Sequence, residues 1–475
     1  MSGIVSPLFS NGDEFRVRET GQKGKVIGEF GEGGQGQVFK ARMDDGTEKA
    51  LKVYHKHYLS DNSWLQTKIP ALVQRGAPSD RFLWPEGTVE IRKDRELFGY
   101  VMPLKPDNFE DAVSYLGSTK ITYRALLRAT TQTARGFEAL HARGLCYRDV
   151  NWNNVAIHPQ DGDSRIVDND NVDFDSDECQ IAIGFPSFIA PEVLKGEYRP
   201  SSDSDRHALA VLFYYLFFQC HPLDGKSVLQ YDIWGNDDQN QHYSNASYHF
   251  NADDKSNEAI KMGEQDPDGL AGHNALYYRK IFPEGFLAHF DRTFSAGLKQ
   301  RHKRTMESVW RAAFDLLGHQ IIHCSNPRCA DAVTGARENF YRGEQLHRCY
   351  KCKGEIVLPP RIRITPDEKV YVLSHDIQLR GRHIGNTHQR SEKDQVQAVI
   401  NVHPEKPTLW GLRNDSSSTW RIQTERDGEW TEVPSQKRIS LDKPKIVVNF
   451  GNGRKGTIRC GPPSGSVPQN PGLTS

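Results

Sequence analysis

Nothing in the chain is long and apolar enough to cross a bilayer: the longest unbroken apolar run, Ala208–Phe218, has 11 residues, where a spanning helix takes about 20. It reads as a buried core helix. There is no surplus of either charge, 61 Lys and Arg standing against 61 Asp and Glu, so no chain-wide attraction to nucleic acid or a membrane surface is expected. The N-terminal MSGIVSPLFSNGDEF lacks the basic start and long apolar stretch of a secretion signal, and a cytoplasmic location is expected. Cysteines are few: of eight, four crowd into 324–352, while Cys146, Cys179, Cys220 and Cys460 are scattered. That usage excludes a disulfide framework and points to a metal site in a reducing compartment. No internal repeat is visible. At 475 residues with 37% hydrophobic and 10% aromatic content, the chain has the composition of a globular protein of two to four domains.

After a polar leader, residues 25–54 alternate short β-type runs (KVIGEF, QVFKAR, KALKVY) with Gly-rich and Asp-Gly turns, the pattern of an antiparallel meander. From Ile121 the spacing turns helical, with Tyr123, Leu127, Ala134, Phe137 and Leu140 on one face and Gly144 placed to end the helix. The helical region runs to about Leu317, interrupted by a polar surface excursion over 224–275 that has no assignable pattern. Beyond Pro359 and Pro360, short strands recur between turn clusters (KVYVL, AVINV, TWRIQ, KIVVNF), so 361–460 reads as a separate all-β module. The closing GPPSGSVPQNPGLTS has nothing to bury, and disorder is expected there.

The segment Gly31-Glu-Gly33-Gly-Gln-Gly36-Gln-Val38 lies between two strand-like runs, where bare backbone can approach phosphates and offer its N–H groups. A dinucleotide fingerprint needs a helix directly after the glycines; here QVFKAR continues as strand towards Lys52 in the run Ala50-Leu51-Lys52-Val53. The arrangement fits a clamp over a nucleotide. Nearly a hundred residues on come Tyr147-Arg148-Asp149-Val150-Asn151-Trp152-Asn153-Asn154 and, after an Ile166-Val167 strand, Asp168-Asn169-Asp170.

With these motifs, residues 21–317 resemble the eukaryotic-like protein kinase family, YRDVNWNN matching H-R-D-L-x-x-x-N and DND matching D-F-G in order and spacing. Ala190-Pro191-Glu192, Asp205 in SDSDRHALAVLFYYL, the His221-Pro222-Leu223 turn and Arg304 extend the likeness. The resemblance implies a bilobal α+β kinase fold, ATP and Mg²⁺ as cofactors, and a nucleotide site formed by Gly31, Gly33, Gly36, Val38, Lys52 and Met102. Lys52 would hold the α- and β-phosphates, Asn154 and Asp168 would ligate Mg²⁺, and Asp149 would take the proton of the attacking hydroxyl. Arg304 would pair with Glu192. The implied activity is transfer of phosphate to Ser or Thr of a protein, with an ATP-binding scaffold or a kinase of a small molecule as alternatives.

Several positions depart from the family pattern. Residues 55–75 contain no Glu, so Lys52 lacks its usual acid on the following helix; Gln66, in LQTKIPAL, is the best-placed substitute, its amide oxygen accepting from Lys52. Asn151 and Phe185 stand where a Lys and a Thr are usual, and Asn169 replaces the Phe of D-F-G. The activation segment, Asp168–Glu192, has no Thr and only Ser176 and Ser187, but it carries Asp168, Asp170, Asp173, Asp175, Asp177 and Glu178. The expectation is that one of these acids, Asp175 or Asp177, pairs with Arg148 in place of a phosphate on Ser176. The spacing DFDSDE does not fit a calcium-binding loop.

Cys324-x4-Cys329, nineteen intervening residues and Cys349-x2-Cys352 form two knuckles able to close a tetrahedral, structural Zn²⁺ site. The last module resembles a forkhead-associated (FHA) sandwich in TLWGLRNDSSSTWRIQ and IVVNFGNGRKGTI, with Gly381-Arg382 as its GR pair but no following Ser-x-x-His. A partner-binding or self-docking role is therefore expected rather than phosphothreonine reading, with Arg382 and Ser416 the positions to test. The expected organisation is leader 1–20, kinase N-lobe 21–105, C-lobe 106–318, zinc ribbon 319–358, FHA-like β-sandwich 359–460 and disordered tail 461–475. This arrangement looks like bacterial kinases that accompany TerY-type von Willebrand A (vWA) proteins and PPM-type phosphatases, which implies such proteins as partners; nucleic acid and membranes are not expected.

Overall fold

The computed structural model describes residues 8–91, 96–117, 122–176, 184–231, 234–330, 337–374, 377–385, 393–402, 409–424 and 428–461. The chain divides into two compact units, Met1–Tyr278 with His289–Arg311, and Arg279–Ala288 with Ala312–Ser475.

The first unit opens with six antiparallel strands: β1 (Glu14–Val17), β2 (Lys23–Glu32), β3 (Gly36–Met43), β4 (Glu48–Tyr54), β5 (Gly87–Ile91) and β6 (Gly99–Pro103). They close into a barrel in the order β1-β2-β3-β4-β6-β5, with β1 pairing β5. The period-2 alternation of the sequence sends Val26, Phe39, Ala41, Leu51, Val53 and Val89 into one core. Between β3 and β4 the Asp45-Gly46 pair turns the chain: Gly46 takes φ +85° and the Asp45 carboxylate accepts from the Thr47 N–H at 2.8 Å. Two helices follow β4, α1 (Lys56–Asp61) and α2 (Leu65–Arg75). Helix α2 buries Leu65, Ile69 and Leu72, one helical face.

Helix α3 (Ala112–Gly117) and the longer α4 (Tyr123–His141) begin the helical part. Thr122 caps α4, its hydroxyl accepting from the Ala125 N–H at 3.0 Å, and Gly144 beyond its end has φ +67°. The short helix α5 (Pro191–Leu194) precedes α6 (Ser202–Phe218), which carries the 11-residue apolar run and buries it almost all round. The 224–275 excursion is pinned by buried polar side chains. Asn257 Oδ1 accepts from the N–H groups of Gly225 and Ser227, and Asp266 accepts from those of Leu270 and Ala271. Such side-chain scaffolding leaves no periodic trace, which is why the sequence pattern there was blank.

In the second unit, two small hairpins, Ile321–His323 with Glu338–Phe340 and His347–Arg348 with Glu355–Ile356, carry the clustered cysteines. The remainder is two sheets. Six strands run in the order Lys369–Val372, Arg361–Thr365, Lys455–Arg459, Lys445–Asn449, Trp420–Gln423 and Thr431–Val433; four run Gln378–Arg380, Val396–Val402, Trp410–Asn414 and Arg438–Ser440. Ile362, Trp420, Val448 and Ile458 of the first sheet share a core with Leu379, Ile400 and Leu412 of the second. Among the described residues no helix is long and apolar enough to cross a membrane.

Candidate active site

The glycine-rich hairpin joins β2 to β3 through reciprocal bonds, Gly33 N–H to Gly36 O at 2.9 Å and Gly36 N–H to Gly33 O at 3.2 Å. Gly36 is obligatory for packing, since a Cβ there would lie 2.2 Å from the Val53 carbonyl oxygen; Gly31 and Gly33 face open space. Val38 of β3 pairs in register with Lys52 of β4, and Met102 of β6 pairs with Ala50. These residues line one region of the barrel.

Lys52 is buried, and its Nζ lies 2.6 Å from Asp168 Oδ1, 2.7 Å from Asp170 Oδ2 and 2.9 Å from Gln35 Oε1. The Tyr54 hydroxyl, on the same strand, donates to Asp170. Burial opposes the Lys52 charge, yet Asp168 and Asp170 hold its ammonium well above the ordinary lysine range. Burial also works to protonate Asp170, but Lys52 and the Tyr54 hydroxyl outweigh it and keep that carboxyl below the usual carboxylate range. The expected Gln66 contact is not made. Gln66 is exposed on α2, and the side chain of that helix that meets the segment after Asp168 is Lys68, whose Nζ donates to Asn171 O at 3.3 Å. The acid that the helix lacks is supplied by Asp170, two residues beyond Asp168.

The loop 147–154 hangs from α6. Both Asp205 carboxylate oxygens are used, one accepting from the Tyr147 N–H at 2.5 Å and the other from the Arg148 N–H at 2.9 Å. This holds Arg148 at φ +73°, a left-handed conformation that a non-glycine residue adopts at a cost of about 1–3 kcal/mol. His141, the last residue of α4, bridges Asp205 at 3.0 Å and Glu307 at 2.7 Å. Burial lowers its proton affinity, but the hydrogen bonds to the two carboxylates prevail and its pKa rises to about 9. Tyr147 donates its hydroxyl to the Val167 carbonyl, tying this loop to the Asp168 segment.

Asp149 accepts from three amides, Asn151 Nδ2 at 2.8 Å and Asn154 and Asn171 Nδ2 at 3.1 Å each. Burial and then the charge of Asp168 push its carboxyl up to about 7, against the pull of the Asn151 and Asn154 hydrogen bonds. Asn151, standing where a Lys is usual, thus holds the catalytic-loop carboxylate instead of supplying charge. Gly184 backs onto it, since a Cβ there would sit 2.8 Å from Asp149 Oδ1. Asp168, at φ +54°, is likewise pushed up by burial and by Asp170, against Lys52. Its side chain is 32% exposed, whereas that of Asp170 is 2% exposed. Asp168 and Asp170 therefore share one ammonium, with Asp149 a third acid close enough to feel the charge of Asp168, and of the pair on Lys52 it is Asp168 that opens to solvent. That surplus of hard oxygen donors, with the Asn154 side chain beside it, fits a divalent cation such as Mg²⁺.

The Protein kinase domain family matches residues 25–265. The chain belongs to the protein kinase family. It is 25% identical over 206 residues to calcium-dependent protein kinase 5 of Plasmodium berghei (strain Anka), a match covering 42% of this chain and 35% of that protein. It is 33% identical over 107 residues to protein kinase C delta type of Rattus norvegicus, covering 21% of this chain and 16% of that one. The chain thus spans about a third or less of the length of these relatives.

In this member of the family the Asn169 side chain, fully buried, donates to the Leu83 and Ile166 carbonyls at 2.9 and 3.1 Å. Arg304 and Glu192 make a buried two-toothed ion pair at 2.8 and 2.7 Å. Of the two acids expected to pair with Arg148, Asp175 is corrected, since it accepts from the Ser202 N–H at 3.2 Å, and Asp177 lies outside the described residues. Among the described residues the acid that meets the Arg148 guanidinium is Asp173, 3.7 Å from its Nη1 and 3.8 Å from Lys68 Nζ. Register is the reason. Asp173–Phe174 pairs with Leu145–Cys146, placing Asp173 opposite Cys146, just before the loop that carries Arg148. Ser176 lies at the edge of the described segment, where its N–H bonds to the Phe174 carbonyl. Asp170, Tyr54, Gln35 and Asp173 are the site residues that motif matching missed; the one signal available was the run of acids after Asp168.

In the second unit Cys324, Cys329, Cys349 and Cys352 are unbridged and their sulfurs lie within 4.8 Å of one another, with 3.6 Å between Cys324 and Cys352 and 3.8 Å between Cys329 and Cys349. A tetrahedral zinc with Zn–S bonds of about 2.3 Å separates its sulfurs by about 3.8 Å, so the cluster is compatible with that ion. The Asn326 N–H and the Asn339 amide point at the Cys324 and Cys349 sulfurs. Arg382 is committed to Asp315 at 2.8 Å and to Asp394, and Ser416 donates to Asn414 at 2.6 Å.

Proposed function

We propose that this chain transfers the γ-phosphoryl group of ATP to a Ser or Thr hydroxyl of a protein. One observation carries the reading: Lys52, Asp149, Asn154 and Asp168 converge across up to 116 residues of sequence into one half-buried constellation. Lys52 holds the α- and β-phosphates, and the glycine-rich hairpin covers them with bare backbone. Asp168 and Asn154 are the residues that would hold Mg²⁺, which neutralises charge on the phosphates when bound. Asp149 orients the acceptor hydroxyl and takes its proton as the new oxygen–phosphorus bond forms. The bond between the γ-phosphorus and the β-bridging oxygen breaks, and ADP leaves.

The test is labelled ATP with Mg²⁺, comparing wild type with Asp149→Asn and Asp168→Asn, followed by phosphoamino-acid analysis. Phosphoserine or phosphothreonine lost in both variants is expected. Nucleotide-dependent thermal stabilisation with no label on any protein in the wild type overturns the reading in favour of a binding scaffold.

The cysteine cluster supports a structural zinc, and the engaged state of Arg382 and Ser416 supports a docking sandwich of FHA-like type that does not read phosphothreonine. From the likeness of the whole arrangement, a TerY-like vWA protein is the proposed substrate or partner, with a PPM-type phosphatase alongside. Co-purification with purified candidates, and phosphate transfer to them, decides that.

A further inference from the structure

The ion pairing at Lys52 has a polarity that the family reading did not supply. We infer that Asp170, and not any residue of helix α2, is the positioning residue that holds Lys52 ready for the nucleotide, so that this lysine is set by the Asp168–Asp173 segment itself. The inference rests on the proposed function and deepens it, by naming what controls the phosphate-holding lysine.

Four observations combine. Asp170 Oδ2 lies 2.7 Å from Lys52 Nζ, with an exposure of only 2%. Tyr54, two residues along the same strand from Lys52, donates its hydroxyl to that carboxylate, so β4 grips Asp170 at two points. The other oxygen, Asp170 Oδ1, is buried and without a hydrogen-bond partner, which leaves Lys52 and Tyr54 as the groups that stabilise the buried charge. Helix α2 offers no acid: Gln66 is exposed, and Lys68 presents a cation to Asn171 and Asp173. Asp168 also touches Lys52, but it is the partly exposed carboxylate and the proposed magnesium ligand. Once Asp168 turns to a cation, Asp170 is the acid left to orient Lys52. A buried charge is held in place far more strongly than an exposed one, because its alternatives are unsolvated. Displacing α2 would leave this pair standing, whereas reorganising the Asp168–Asp173 segment would break it.

The experiment measures Mg-ATP affinity by calorimetry and kcat and KM for ATP, on the full chain, for wild type, Asp170→Asn, Gln66→Ala, Lys52→Met and the double variant Lys52→Met/Asp170→Asn. Asp170→Asn keeps the shape and removes the charge. It is expected to weaken ATP binding and raise KM by roughly 10- to 100-fold, with a smaller change in kcat. Gln66→Ala is expected to stay within about twofold of wild type. In the Lys52→Met background Asp170→Asn should cost nothing further, because the pair acts as a unit. A merely structural Asp170 would instead lower the melting temperature and leave the affinity of the folded protein unchanged, and that result overturns the inference. Additive losses in the double variant, or a Gln66→Ala defect as large as that of Asp170→Asn, also overturn it. Should Asp170→Asn fail to fold, Tyr54→Phe, which frees one side of Asp170, carries the test with an expected loss of roughly threefold or more in ATP affinity; an unchanged affinity overturns it. Failure of the underlying reading is distinguishable, since it shows in the wild type alone, which then either binds no Mg-ATP or binds it without labelling any protein, whatever Asp170→Asn does.

Discussion

Asp149 sits where three side-chain amides converge, and the geometry separates its role from that of the residues around Lys52. Positioned proton transfer contributes typically 10²- to 10⁴-fold to rate. Asp149→Asn is therefore expected to lower kcat by at least about 100-fold while ATP affinity stays within about threefold, as read by steady-state kinetics beside calorimetry. The reverse split is expected at Asp170, and the pair of variants distinguishes chemistry from nucleotide positioning. Arg304 and Glu192 form a deeply buried ion pair, with side-chain exposures of 0% and 8%. Removing one partner strands the other charge, so Arg304→Met should destabilise the chain by about 3–5 kcal/mol, read as a shift in the urea midpoint; a shift under 1 kcal/mol would contradict the structural reading of the pair.

At the scale of elements, the loop 147–154 is held by a relay that begins at the end of α4. His141 joins the Asp205 that receives the Tyr147 and Arg148 N–H groups, and it also joins Glu307. Its folded pKa, about 9, lies above the ordinary histidine value of 6.5. A group whose proton is held more tightly in the folded state stabilises fully below its unfolded pKa and loses that contribution as pH rises through the folded one. Stability should therefore fall between about pH 6.5 and pH 9, by an amount on the order of 3 kcal/mol from this group, and His141→Gln should flatten the slope of melting temperature against pH. A second link joins α2 to the segment after Asp168, where Asp173 lies between Arg148 and Lys68. With an acid already in that position, protein treated with a phosphatase should keep its activity, whereas Asp173→Ala should lower it several-fold; strict dependence on a phosphorylated Ser176 would refute this. The barrel strands and α6 were legible as elements because alternation and the long apolar run are local patterns. The 224–275 excursion was not, because Asn257 and Asp266 organise it through bonds that residue type alone does not dictate.

On the scale of the whole molecule, the two units carry separate cores and separate chemistry. If the four sulfurs of Cys324, Cys329, Cys349 and Cys352 hold zinc, elemental analysis should find one zinc per chain, and Cys349→Ser should abolish it. That variant should lower a melting transition of the second unit while Mg-ATP still stabilises the first; loss of nucleotide binding with the metal would argue against that independence. The spacing of those cysteines was enough to nominate the site, because four thiols within 29 residues can meet only through short knuckles. The identities of Lys52, Asp149, Asn154 and Asp168 were equally readable, since motif order and spacing carry them. What replaced the missing acid of α2, and which acid approached Arg148, were not. Gln66 and Asp175 were reasonable choices by position, and both were displaced by neighbours, while Asp177, the other acid expected at Arg148, lies outside the described residues. A motif names residues along the chain, but an ion pair is chosen by distance and burial among side chains that fold together from 116 residues apart, and among the described residues β4 and the Asp173–Phe174 register bring Asp170 to Lys52 and Asp173 to Arg148.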